Sequence, residues 1–230
     1  MATARKSTRP VSASSKGRQE KLSRAQILEN ALALTRRNGV SFSMRDLANE
    51  LGVWPMAVYR YYKNRDELLE DIVDSVIEEV LEPSVLARLN NDQQSDQARM
   101  REFTSHLYDV IVRYPGISQQ FLYGSTYSKN RFKLVGVYMD FMTELGLSAR
   151  RAAEVVHSVS LLVFQAATLE YAAERGDSSL DKVKREVEEN MDPRLASPEV
   201  VDVFLNTSRR ERALRGVDMV IAAVSAELDL

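Results

Sequence analysis

Cysteine is absent from the 230-residue chain, and histidine occurs only twice, at His106 and His157. No disulfide can brace the fold, no thiolate can hold a metal, and nothing points to an oxidising compartment. Glycine (9 residues) and proline (6 residues) are scarce. The turns that build sandwiches and barrels are therefore few, and an all-α protein is predicted. No apolar run approaches the roughly 20 residues that cross a bilayer, so no membrane contact is expected. The first residues lack the apolar stretch of a signal peptide, and a cytoplasmic location is the expectation. Also missing are a phosphate-cradling glycine loop, a nucleophile–base spacing and an H-x-x-x-H histidine pair. The chain is thus expected to be no enzyme and to carry no cofactor and no metal.

What is there is unevenly distributed. Residues 1–65 hold 13 lysines and arginines against four acids, a balance of +9, which leaves −11 for the rest of a chain whose net charge is −2. A basic end on an acidic body is either a solvated tail or the mark of a polyanionic partner at that end alone.

Residues 1–20 contain almost no large apolar side chain and are expected to form a disordered basic arm. Structure is predicted to start at Leu22. Ser23 and Gln26 have capping-box spacing, and the helix they open ends at Asn38-Gly39. Ser43 caps a short second helix with Met44, Leu47, Ala48 and Leu51 inward, closed by Gly52; Pro55 suits the first turn of a third helix reaching about Tyr62. Asn64 and Glu67 open a long rod, 64–82, whose apolar stripe runs from Leu68 to Leu81. Beyond it come a polar link at 90–97 and a helix over about 97–114 that Pro115 ends. A short helix is predicted within 116–130, another over 131–145, and a long apolar one from Ser148 to about Glu174. An acidic, mobile-looking stretch at 176–196 precedes a single final helix from Ser197-Pro198-Glu199. The domains expected are the arm at 1–20, a DNA-binding domain at 21–69 and a helical ligand-binding and dimerisation domain at 70–230.

The segment Ser43–Leu69 carries the functional signal. Two short helices around a glycine turn make a helix-turn-helix, whose second helix enters the major groove of DNA. Its wording, Leu47-Ala48-Asn49-Glu50-Leu51-Gly52-Val53, then Ala57-Val58-Tyr59-Arg60-Tyr61-Tyr62 and Arg65-Asp66-Glu67-Leu68-Leu69, resembles the N-terminal domain of the TetR family. The likeness runs over about Ser23–Leu69. Farther along, only Arg215-Gly216-Val217-Asp218-Met219-Val220 is similar to the family's last helix.

The resemblance implies a homodimeric regulator, a repressor, that binds double-stranded operator DNA and is released by a small molecule. It implies DNA-facing roles for Ser43 and for Arg45, which reaches a base edge or phosphate; for Tyr59 and Tyr61, which meet phosphates; and for Lys63 and Arg65, a phosphate clamp. Pro55, Met56 and Ala57 match the tip that faces the bases, with Arg60 beside it. Trp54 stands where the family has a small polar cap, so it is either an exposed aromatic or packs on a sugar or phosphate edge. With Met56 and Ala57 at the tip, hydrogen-bonding readout is left to Arg45 and Arg60.

For the remainder the resemblance implies an all-helical effector domain whose last two long helices pair with their twofold mates. The residues support this independently, since 155–164 is apolar on most sides. Candidate cavity residues are Phe103, His106, Tyr108, Phe121, Tyr123, Tyr127, Phe132, Tyr138, Met142, Phe164, Gln165, Thr168 and Tyr171. Polar groups scattered among aromatics suit a largely apolar effector, and bulk at Thr168 or Gln165 is expected to block it. The competing expectation is a C-terminal domain that docks a protein partner instead of a small molecule.

Overall fold

The computed structural model describes residues 22–123, 128–175, 180–190 and 197–228. The basic arm lies outside the described residues, as does Tyr127. Among the described residues all regular structure is helical: α1 (Arg24–Asn38), α2 (Met44–Glu50), α3 (Pro55–Tyr59), α4 (Arg65–Val80), α5 (Pro83–Leu89), α6 (Asp96–Val112), α7 (Ser118–Leu122), α8 (Lys129–Glu144), α9 (Ala149–Glu174), α10 (Leu180–Asn190), α11 (Pro198–Asn206) and α12 (Arg209–Glu227).

The caps read from the sequence form as expected. Ser23 and Gln26 bond reciprocally across the first turn of α1, Ser43 and Asp46 do the same for α2, and the Asn64 side chain accepts from Glu67 N–H. Each satisfies backbone donors that a helix start leaves open. Ile27, Ala31 and Leu34 of α1, Leu47 and Ala48 of α2 and Val58 of α3 close on Leu68, Leu69 and Ile72 of α4, all buried. That small core fixes the angle between α2 and α3. The same stripe of α4 runs on through Val73, Val76, Ile77 and Val80 into the larger core built by α6, α7, α8, α9 and α12.

The structure differs from the sequence reading in four places. Pro83 ends α4 but also serves as the first residue of α5, which packs on α6 through Val85 and Leu89. The acidic stretch contains α10. The expected single last helix is two, because Thr207 is extended and Ser208 caps α12 by accepting from Glu211 N–H. The spacing Ser208–Glu211 was the available signal. Finally, α9 is long and apolar enough to cross a membrane, with an 18-residue window of mean hydropathy 1.4. It packs instead against α6, α7, α8 and α12, although only 39% of that window is buried.

Candidate nucleic-acid interface and effector cavity

The turn between α2 and α3 is a closed motif. Gly52 N–H donates to Asn49 O (3.1 Å) and Val53 N–H to Ala48 O (3.0 Å), while Gly52 takes φ 64°. This is a Schellman ending, and its left-handed residue favours glycine. It throws α3 across α2, with Val58 and Tyr62 pinned beneath and Met56 and Tyr59 facing out.

The outward side chains are Trp54 (85% exposed), Met56 (71%) and Tyr59 (43%), with Arg60 and Lys63 exposed beside them. Pro55 and Ala57 are half-buried. Arg45 is exposed at the start of α2, and among the described residues neither its guanidinium nor that of Arg60 forms a hydrogen bond or ion pair. Trp54 gives α3 no side-chain cap, as its indole requires. Ser43 is committed to the α2 cap: its hydroxyl accepts from Asp46 N–H and donates to the Asp46 carboxylate (2.7 Å), and this last bond with that from Ser43 N–H (2.8 Å) holds the carboxyl below its usual range.

Two expected DNA-facing groups are turned inward. Arg65 donates from Nε to Phe42 O (3.1 Å) and from its terminal nitrogen to Val40 O, tying α4 to the α1–α2 turn. Tyr61 donates its hydroxyl to Leu22 O. Both therefore brace the frame that holds α2 and α3. The sequence cannot show this, because the partners are 25 and 39 residues away.

Behind this head lies a cavity of about 360 Å³ between α6, α7, α8 and α9. Of the candidates named from sequence, Phe121, Tyr138 and Phe164 line it. Phe121 and Phe164 stack at 4.5 Å with 5° between their planes, making one flat wall. The Tyr138 hydroxyl lies 3.1 Å from that of Thr104, and burial pushes its pKa up.

The other candidates sit elsewhere. Phe103 packs edgewise on Tyr138, one layer behind, at 5.0 Å, and with His106 borders a hollow of only about 10 Å³. Tyr108 is buried toward α9 and α12, its hydroxyl unpartnered and pushed up to about 12 by burial. Met142 is core. Tyr123 (76%) and Phe132 (64%) are exposed, and Gln165 is on the surface. Thr168 bonds the Ser118 hydroxyl (2.9 Å) and stands off the cavity, so bulk at Thr168 or Gln165 would not fill it.

Tyr171, expected at the cavity, sits at a different place. It wedges between the α1–α2 and α6–α7 turns, where a Cβ on Gly39 would fall 2.7 Å from its hydroxyl and one on Gly116 2.9 Å from its ring. The same corner joins Val40 N–H to Pro115 O (3.0 Å), and the Tyr114 hydroxyl donates to Glu79 of α4 (2.7 Å).

Sequence reasoning also passed over cavity residues. Arg131, Leu134, Val135 and Met139 of α8, which flank the named Tyr138, and Ala153, Val156, His157, Ser160 and Leu161 of α9 recur at i, i+3, i+4, i+7. That spacing was the signal, but it also fits ordinary core. Val135, Ala153, His157 and Leu161 are exposed and mark the mouth.

One residue before Arg131, Asn130 joins the cavity wall to α4. Its backbone N–H donates to Asp74 Oδ1 (2.9 Å), and its side-chain amide donates to Asp74 O and Oδ2 (both 3.2 Å). An acid of α4 thus serves the N-terminus of α8, where the helix leaves donors open and its dipole is positive.

The family described as Bacterial regulatory proteins, tetR family, matches residues 27–72. Over 55 residues, 24% of this chain, it is 38% identical to the uncharacterized HTH-type transcriptional regulator YvaF of Bacillus subtilis (strain 168); the match spans 29% of that relative's length. The fold is similar over far more. A structure from Streptomyces coelicolor A3(2), described as "a possible TetR family transcriptional regulator", superimposes with a TM-score of 0.73 at 18% identity, covering 89% of this chain and 100% of that one. The Streptomyces coelicolor TetR family protein ActR, solved in complex with actinorhodin, superimposes at 0.68 with 21% identity, covering 91% of this chain and 99% of its own. Residues 27–72 of this chain thus match the tetR family of bacterial regulatory proteins, and its fold is similar to those of TetR structures along nearly its whole length.

Proposed function

We propose that the protein is a ligand-released repressor: a homodimer whose α2–α3 pairs read an inverted repeat and let go when a small molecule fills the α6–α9 cavity. It has no enzymatic role in this reading. Residues 21–69 form the DNA-binding domain and 70–230 the ligand-binding and dimerisation domain. The observation that carries the proposal is the Asp74–Asn130 join, which connects a cavity wall to the rod under the DNA-facing helices. The ligand-bound ActR structure supports the cavity half of the reading, at the level of a similar fold.

Dimerisation is supported by apolar groups left in water. Leu161 and Leu169 of α9 are each 47% exposed and Met219 of α12 is 74% exposed, on two helices already packed side by side. Sedimentation at micromolar concentration should give a dimer, and DNA selected from a random pool should carry half-sites centred about 34–36 Å apart or a multiple of it. Leu169→Arg with Met219→Arg should yield a folded monomer that has lost the selected DNA. A monomeric parent protein would end the proposal.

The base-reading role is assigned to Arg45, exposed at the start of α2 and without a hydrogen bond or ion pair among the described residues. Arg45→Ala should weaken the selected site by about 1–3 kcal/mol and relax base preference, with Tm unchanged. Arg65→Ala should lower Tm instead, since the Val40 and Phe42 carbonyls lose their donor. Anisotropy on selected and random DNA, with thermal melts of both variants, separates the roles. Equal loss on both DNAs in Arg45→Ala would remove it as a base reader.

A further inference from the structure

We propose that the Tyr171 ring is a spacer that sets the angle of the DNA-binding head on the effector domain, and through it the half-site separation the protein accepts. This rests on the reading of the chain as a dimer that meets an inverted repeat, and adds to it the residue that fixes the spacing.

Head and body share the α4 rod, whose apolar stripe is buried in both. A rod alone lets the head rock, so its angle needs a second support off the rod's axis. That support stands where the α1–α2 turn meets the α6–α7 turn. The polar links there are compliant. Arg36 (3.7 Å), Arg113 (2.8 Å) and the Tyr114 hydroxyl (2.7 Å) all meet the carboxylate of Glu79, at the end of a flexible side chain that can follow a moving head. The bond from Val40 N–H to Pro115 O (3.0 Å) fixes a distance and leaves rotation about itself. The Tyr171 ring is rigid. Its Cε2 edge and hydroxyl face Gly39 and its Cε1 edge faces Gly116, where a Cβ would lie 2.7 Å and 2.9 Å from it. The gap between head turn and body turn is thus one ring wide, and both glycines lack the atom that would keep the ring out. Arg175 donates to the hydroxyl (2.9 Å), and Ser41 Oγ lies 3.4 Å from it. Gly39 closes α1, and Val40 takes the Arg65 bond that ties the turn to α4, so a shift of this turn carries α1 and α2, and α3 with them. Tyr171 itself lies about two turns beyond Phe164 on α9, the helix that leaves Leu161 and Leu169 exposed for a second copy. In a dimer held through α9, each Tyr171 is a fixed point from which its own head is placed, and two such points set the distance between heads.

The cysteine-free chain allows one spin label per protomer, at Glu29→Cys on an exposed position of α1, and pulsed electron resonance on the full-length protein then reads the head-to-head distance. The parent and Tyr171→Phe should give one narrow distribution, Tyr171→Ala and Tyr171→Leu a broad one. Anisotropy is measured in parallel on the selected site, on versions with one base pair added or removed between the half-sites, and on a single half-site. Each added base pair moves the second half-site by about 3.4 Å and about a tenth of a helical turn. The parent and Tyr171→Phe should lose about 100-fold on the respaced sites, the low end of what two linked modules gain by engaging together. In Tyr171→Ala and Tyr171→Leu the three spacings should differ by less than about fivefold, because the avidity is spread over many head separations. The single half-site should be bound equally by all four proteins, which an unfolded variant could not do. A narrow distribution with the spacing preference kept in Tyr171→Ala would overturn the spacer role. So would a Tyr171→Phe protein that relaxes like Tyr171→Ala, since the hydroxyl and not the ring would then be the support. Loss of the single half-site by both Tyr171→Ala and Tyr171→Leu would overturn it too, because the ring would then hold the head together rather than set its angle. A parent with no head-to-head distance would be a monomer, and that result would overturn the dimer reading itself.

Discussion

Filling the α6–α9 cavity should lower affinity for the selected DNA by about 100-fold, and that DNA should lower affinity for the filling molecule by the same factor. A 100-fold effect corresponds to about 2.7 kcal/mol of coupling, within the ordinary range for allosteric proteins, and reciprocity follows from linkage. The route is short. Arg131, Leu134 and Val135 line the cavity from the first turns of α8, and the neighbouring Asn130 is bonded three ways to Asp74 of α4. A ligand that shifts the start of α8 must either carry α4 with it or break those bonds. In the proposed dimer two heads would have to meet half-sites a fixed distance apart, so a small pivot of α4 in each protomer would cost contacts on DNA. Asp74→Ala should therefore keep both binding reactions and lose most of the coupling, down to about tenfold or less. Part should survive through the second join, where Glu79 of α4 holds Tyr114 (2.7 Å) and Arg113 (2.8 Å) at the end of α6. Calorimetric titration of the molecule into free and DNA-bound protein measures all of this. Equal affinities in the two titrations would refute the release mechanism regardless of what the cavity binds.

Tyr62→Ala should be the most damaging single change in the head, at about 3–5 kcal/mol, the usual range for deleting a fully buried large aromatic side chain. Tyr62 is 0% exposed, and its hydroxyl donates to Asp71 (2.8 Å), so burial and this bond both push its pKa up. Arg24 lies 4.2 Å from the ring centre and bonds Asp71 and Glu67 (both 2.9 Å). Truncation would leave a cavity under α3, strip Asp71 of a donor and release the arginine that ties α1 to α4. In thermal denaturation Tm should fall by about 10 °C, and DNA binding should weaken with it because only Val58 would remain buried beneath α3. Tyr62→Phe, which removes only the hydroxyl, should cost about 1 kcal/mol. A Tyr62→Ala protein within about 1 kcal/mol of its parent would show that the ring is not what sets the α3 angle.

The basic first 65 residues, the capping pairs Ser23–Gln26, Ser43–Asp46 and Asn64–Glu67, and the Gly52 turn made the helix-turn-helix legible before any coordinates. Those signals are local: a cap or a left-handed turn is decided within three to five residues, so the sequence itself states it. The all-helical class was legible for the same reason, from periodicity and from scarce glycine and proline. The break at Thr207-Ser208 was written there too, in the Ser208–Glu211 spacing. What the tertiary structure decided were pairings between distant residues. Arg65 and Tyr61 are inward braces because Val40, Phe42 and Leu22 come within reach only after folding. Tyr171 is a wedge between two glycine turns and no part of the cavity. Periodicity names the buried face of a helix but cannot say whether that face meets a neighbour or an empty space. Phe121, Tyr138 and Phe164 border the cavity while Phe103 and Met142 do not, because where α6, α7, α8 and α9 part company is set by how they cross, a long-range property that no window of sequence contains.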